Sequence, residues 1–151
     1  RSIHQLESKL EIDYQRSTAE DLAAAAPHIF DVVCCLEMLE HVPDPAAVIA
    51  ACATLVKPGG DLYFSTINRN PKSYLFAVVG AEYVLQLLPK GTHEYTKFIR
   101  PSELAGWMRD AGLELADMTG LIYNPITRNY SLKAEDVSVN YMVHARHPGH
   151  E

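Results

Sequence analysis

Glu37, Glu40 and His41 put two carboxylates and an imidazole into one short stretch, Glu37-Met38-Leu39-Glu40-His41, directly after the apolar run Phe30-Asp31-Val32-Val33-Cys34-Cys35. Oxygen donors of this kind suit a hard divalent cation such as magnesium, with the imidazole as a nitrogen ligand. The same imidazole is also a base that works near neutral pH, so Glu37 and His41 are candidate catalytic residues, and Glu37, Glu40 and His41 candidate metal ligands. A plainer role for each residue stays open, because short motifs are permissive. Glu37 can cap the following turn, Glu40 can pair with a surface lysine and His41 can satisfy a backbone carbonyl. Position favours chemistry, since ligands in open α/β sheets collect outside the carboxyl ends of the strands.

Several elements must deliver these residues. Leu10, Ile12 and Tyr14 alternate with Glu11 and Asp13, which predicts a first strand with one buried face. Ser17 and Thr18 offer hydroxyl caps to a short helix ended by Pro27. Asp31 to Leu36 is a continuous apolar run after its aspartate, as expected of a strand buried on both faces. Asp44-Pro45 opens a helix whose Val48, Ile49, Cys52, Leu55 and Val56 form one apolar face, and Lys57-Pro58-Gly59-Gly60 is expected to stop it. Leu62 to Ile67 then supplies another strand. This alternation predicts βαβ units and a largely parallel sheet. Pro101 begins a further helix, with Leu104, Trp107 and Met108 on one face and Gly112 at C′. Leu113 to Met118 and Ser138 to Ala145 read as an antiparallel strand pair at the end of the chain.

The 151 residues, 48% of them hydrophobic and 21% charged, fit a single domain of modest size, and the net charge of −6 gives no reason to expect nucleic-acid binding. Three cysteines without paired spacing read as reduced thiols of a cytoplasmic protein. No signal peptide is visible in the polar opening residues. The chain starts on Arg1, and Ser2 to Ser8 resembles the tail of a helix, so a longer natural polypeptide is expected. Tyr74 to Leu88 is apolar apart from Gly80, Glu82 and Gln86, and is shorter than the roughly twenty residues needed to cross a bilayer. With Arg69 and Lys72 before it and Lys90 after it, this stretch suits either a membrane interface or a buried helix that closes over substrate.

The strand ending in Leu36-Glu37-Met38-Leu39-Glu40-His41-Val42, the helix ending in Lys57-Pro58-Gly59-Gly60 and the strand Leu62-Tyr63-Phe64-Ser65-Thr66 resemble the second half of a class I S-adenosylmethionine-dependent methyltransferase. Five further segments are more specific: Ser65 to Asn70, Val79 to Tyr83, Leu88 to His93, Gly120 to Pro125, and Val139-Asn140-Tyr141. Together they resemble the ubiquinone biosynthesis O-methyltransferase family along nearly the whole chain. The resemblance implies an α/β fold with a Rossmann-like sheet incomplete at its amino-terminal half, an inserted helical or loop segment over residues 74–100, and an antiparallel finish. It makes residues 1–151 a single partial methyltransferase domain.

It further implies S-adenosylmethionine as cofactor, a magnesium site on the Glu-x-x-Glu-His pattern, and a polyprenylated phenol or quinol as substrate. By the same resemblance, Leu36 lies near the methionine portion of the cofactor, and Thr18 and Ala19 near its adenine, although a helix cap explains Thr18 equally well. His93 on its glycine-containing loop, and Asn124 and Asn140 beside tyrosines, are candidates for substrate contact; a solvated loop histidine and a turn at Asn124-Pro125 are the alternatives. Isoprenoid-tailed substrates favour peripheral association with the inner membrane through residues 74–88.

The family's glycine-rich turn and its ribose-binding acid have no counterpart here, so the chain by itself is expected to be inactive, and its exposed sheet edge to invite oligomers. Two other readings are a class I methyltransferase acting on a different small molecule and a noncatalytic membrane-associated accessory module.

Overall fold

The computed structural model describes residues 10–73, 94–124 and 126–149. Helix α1 (Ala19–Ala25) begins where the Thr18 hydroxyl accepts the Asp21 N–H at 3.1 Å. Strand β1 (Phe30–Leu36) leads into a 3₁₀ turn, Leu39–His41. Helix α2 (Pro45–Leu55) opens with Asp44 accepting the Ala47 N–H, and β2 (Val56–Ile67) follows it without an intervening residue. After α3 (Pro101–Asp110), strands β3 (Glu114–Asn124), β4 (Asn129–Lys133) and β5 (Asn140–Arg146) complete one sheet, in the order β1-β2-β5-β3-β4. Among the described residues only the β1–β2 pairing is parallel and the other three are antiparallel, so the expected largely parallel sheet is not found: the chain returns through β3, β4 and β5 without the helical crossovers that parallel neighbours need.

Residues opposite one another in the ladder share a face, which fixes the core. Leu62, Phe64 and Thr66 of β2 stand opposite Ala145, Val143 and Tyr141 of β5, and all six are buried. Against this face pack Val48, Ile49 and Cys52 of α2 and Leu104 and Met108 of α3. Ala23 of α1 meets Ala51 and Leu55 on the other side of α2. Tyr141 adds a tie outside the sheet, because its hydroxyl donates to the Ile99 carbonyl at 2.7 Å.

Three further expectations need correction. Leu10, Ile12 and Tyr14 form no strand; they lie in irregular, exposed backbone, since alternation alone does not make a ladder. Strand β1 is not buried on both faces. It ends the described sheet, so Val32 and Leu36 remain about half exposed, at 51% and 50%, while Cys35 faces the core. Lys57-Pro58-Gly59-Gly60 does not terminate the helix as a separate turn; it is already part of β2, as an irregularity that shifts the β1–β2 register between Phe30 and Val32. Gly59 takes a positive φ of 79° there, and a Cβ at Gly60 would meet the Asp31 carbonyl at 2.7 Å, so both glycines are required sterically. The β4 strand was not anticipated, whereas the antiparallel β3–β5 pair and Gly112 just past α3 agree with expectation. Residues 74–93, which include the expected Tyr74 to Leu88 segment, lie outside the described residues.

Candidate functional site

At the carboxyl ends of the two parallel strands, Leu36 of β1 stands opposite Ser65 of β2. The next residue, Glu37, leaves the strand with φ 51°, a left-handed conformation that costs a non-glycine residue on the order of 1 kcal/mol. Its N–H holds that bend by donating to the Ser65 carbonyl and to Ser65 Oγ, each at 3.0 Å. The bend starts the 3₁₀ turn, which sends Leu39 and Glu40 inward and leaves His41 half exposed.

Glu40 is only 4% exposed, and Thr66 Oγ1 donates to its Oε2 at 2.8 Å. An ionisable group so deep needs such a partner. The remaining carboxylate oxygen, Oε1, lies 3.9 Å from His41 Nε2. Across the sheet, Asn140 Nδ2 of β5 reaches Glu37 Oε2 at 3.5 Å. Although Glu37 presents an exposed surface, crowding of its carboxyl by surrounding protein and the charge of Glu40 raise its pKa above the usual carboxylate value. Hydrogen bonds from Ser65 and Asn140 oppose that rise.

Of the residues singled out by sequence, the structure brings Glu37, Glu40, His41 and Asn140 together, with Leu36 directly before them. Thr18 is engaged in capping α1, and Ala19 packs against the core from the same helix, a separate element. Asn124 ends β3, three residues beyond the Leu121 that pairs with Asn140, and its Oδ1 accepts the N–H groups of Ile126 and Thr127 at 2.9 and 3.2 Å. That is the turn-forming alternative. His93 lies outside the described residues. Ser65 and Thr66 are site residues that sequence reasoning did not assign; two hydroxyls within the otherwise apolar run from Leu62 to Ile67 were the available signal.

The donor set suits a hard divalent cation in type, two carboxylates and one imidazole. Neighbouring carboxylates in a crowded site repel, and either a proton or a cation relieves that repulsion. In their present orientation Glu40 turns to Thr66, and among the described residues no three His, Cys, Asp or Glu side chains are grouped to hold a metal ion. No described helix is long and apolar enough to cross a membrane.

The family model for a methyltransferase domain matches residues 4–117. The ubiquinone biosynthesis O-methyltransferase of Saccharophagus degradans is 72% identical over 144 residues, covering 95% of this chain and 61% of that protein. The corresponding protein of Stutzerimonas stutzeri is 71% identical over 141 residues, covering 93% and 60%. The chain thus spans about three-fifths of the length of the curated relatives it matches. Among solved structures, a SAM-dependent methyltransferase from Thermotoga maritima superimposes with TM-score 0.68 at 17% identity, covering 96% of this chain and 69% of that one, a likeness of fold.

Proposed function

The chain belongs to the methyltransferase-domain family, and on that footing we propose that it serves the S-adenosylmethionine-dependent O-methylation of a catechol- or quinol-type polyprenylated acceptor in ubiquinone biosynthesis. The observation that carries this reading is the 72% identity over 144 residues to an enzyme of that name. The gathering of Glu37, Glu40, His41 and Asn140 at the strand ends supplies the chemistry.

S-adenosylmethionine, when bound, supplies the electrophilic methyl group. The chain's own residues must orient the acceptor and take its hydroxyl proton. Glu37 accepts a hydrogen bond from one acceptor hydroxyl, and the Asn140 amide beside it orients the neighbouring oxygen. His41, half exposed at the mouth of the turn, takes the proton at Nε2, and buried Glu40 steadies the imidazolium that results. Leu36 would offer an apolar contact to the methionine portion of the cofactor, and Thr18 and Ala19 would border its adenine. His93 is the remaining proposed acceptor contact.

A divalent cation, magnesium by donor type, is the finer part of the proposal. Held by Glu37, Glu40 and His41, it would stabilise negative charge on the acceptor oxygen. Peripheral association with the inner membrane through residues 74–88 belongs to the same reading, because the acceptor's tail resides in the bilayer.

The test uses the complete enzyme and a tail-less catechol. Replacing His41 by alanine should lower kcat by about 100-fold, with KM for S-adenosylmethionine within about twofold of wild type. Equal losses in turnover and cofactor affinity would assign His41 to structure. Activity with catechols that does not depend on an added divalent cation would remove the metal while leaving the transferase reading intact.

A further inference from the structure

The turn Asn68-Arg69-Asn70 follows β2 directly and has no part in the chemistry assigned above. It faces Val137-Ser138-Val139, the irregular backbone that leads into Asn140, the first residue of β5. Three consecutive carbonyls there are taken by the turn. Asn68 Nδ2 donates to the Val137 carbonyl at 2.9 Å, Asn70 Nδ2 to that of Ser138 at 2.6 Å, and the Asn68 backbone N–H to that of Val139 at 2.7 Å. Side-chain amides thus stand in for a neighbouring strand where the ladder has ended, since each carries the N–H donors that a backbone carbonyl requires.

The turn is itself held from within. Asn70 Oδ1 accepts the Ser73 N–H at 2.9 Å, so its oxygen faces a donor and its nitrogen an acceptor, and only one orientation of the amide serves both. Ser73 is fully buried and donates its hydroxyl to the carbonyls of Asn68 and Asn70. Arg69 Nη2 meets Glu103 Oε1 at 2.6 Å, which ties the turn to α3. Lys72 Nζ also reaches Ser138 Oγ, at 2.7 Å.

What this grip delivers is Asn140. It stands opposite Ile67 of β2 and Leu121 of β3, and its amide reaches Glu37 Oε2 at 3.5 Å. A residue at the very start of a strand has its own ladder on one side only, so hydrogen bonds to the backbone before it fix how its side chain enters the site. We propose that Asn68 and Asn70 are positioning residues, whose side-chain amides hold the Val137 and Ser138 carbonyls so that Asn140 meets the acceptor oxygen beside Glu37. The proposal rests on the reading that Asn140 orients the acceptor of a methyl transfer.

Asn70→Asp in the complete enzyme tests it, because the variant keeps the oxygen that caps Ser73 and loses the donation to Ser138. With a tail-less catechol, kcat/KM for the acceptor should fall about tenfold, while KM for S-adenosylmethionine stays within about twofold of wild type. A double-mutant cycle separates positioning from general support: in an Asn140→Ala background, Asn70→Asp should change kcat/KM by less than about twofold, since the group it positions is gone. Hydrogen exchange read by mass spectrometry should show residues 137–141 exchanging faster with Asn70→Asp in both backgrounds. Thermal melts accompany each variant; if Asn70→Asp melts early, Asn70→Ser, which keeps a capping oxygen without adding charge, takes its place.

Losses that multiply in the cycle overturn the inference, because Asn70 then acts independently of Asn140. So does an Asn70→Asp enzyme with wild-type kcat/KM, or unchanged exchange over residues 137–141. A wild-type enzyme that methylates no catechol overturns the transferase reading and this inference with it. An active wild type beside an indifferent Asn70→Asp removes the positioning role alone.

Discussion

Thr66 shows how one hydroxyl sustains a charged site. Its donation to Glu40 at 2.8 Å satisfies a carboxylate that is almost wholly removed from water. Thr66→Val keeps the shape and deletes the donor, so it should destabilise the chain by about 1–3 kcal/mol, as measured by urea unfolding. Thr66→Ser should recover most of that loss. If valine and threonine melt alike, Glu40 draws its satisfaction from elsewhere. At this scale the sequence was informative about residue type and silent about direction. Glu37, Glu40 and His41 were legible as a cluster because their spacing follows an apolar run. That Glu40 points inward to Thr66 while His41 stays half exposed depends on a left-handed Glu37 and on β2, a partner distant in sequence. Asn124 was ambiguous for a related reason, since one side chain can serve a ligand or its own turn, and only the backbone geometry distinguishes the two.

Helix signals were the clearest at the scale of elements because they are local. Thr18, Asp44 and Gly112 act within a few residues of themselves, and α1, α2 and α3 begin and end close to those marks. Strands were harder, since a strand exists by virtue of its neighbours. The alternation at Leu10 to Tyr14 gave no strand. Strand β4, short and exposed throughout, exists because β3 supplies its ladder. Gly120 on β3 marks another constraint invisible in sequence: a Cβ there would lie 1.8 Å from the Asp136 carbonyl. Gly120→Ala must therefore push apart β3 and the segment between β4 and β5. It should cost at least about 2 kcal/mol in chemical denaturation, whereas Gly106→Ala, where the added carbon meets nothing within 4 Å, should not destabilise α3.

For the molecule as a whole, acid stability has a definite sign. Asp61 accepts a hydrogen bond from His144 at 2.8 Å and lies 3.5 Å from Arg146; the His144 bond leads in holding its carboxyl below the usual range, against the opposing effect of burial. Asp31 is likewise lowered, first by its hydrogen bond to Lys57, and Asp136 by Ser138. A carboxyl whose folded pKa is depressed contributes stability above its unfolded value, near 4, and loses it as pH falls through the folded pKa. Stability should therefore decline from pH 5 downward. Asp61→Asn should flatten that decline, so the gap between its melting temperature and that of wild type narrows from pH 7 to pH 3. An unchanged gap would show that Asp61 keeps its partners in the unfolded ensemble. A sheet with helices against its core face was legible from the alternating strand and helix signals, but its mostly antiparallel pairing was not, because strand direction depends on how the chain returns and not on the signals within each strand. Nor were the half-exposed faces of Val32 and Leu36, since burial depends on which elements stand beside a strand and not on how apolar the strand is.

The direct passage from α2 into β2 has a consequence for motion. Leu55 closes the helix and Val56 opens the strand, with no spacer to absorb slack. The final helical turn cannot fray without tugging at the ladder that also shapes Ser65 and Thr66. Helix and central strand should therefore open together as one cooperative unit, with amide protons along both exchanging at a shared, slow rate.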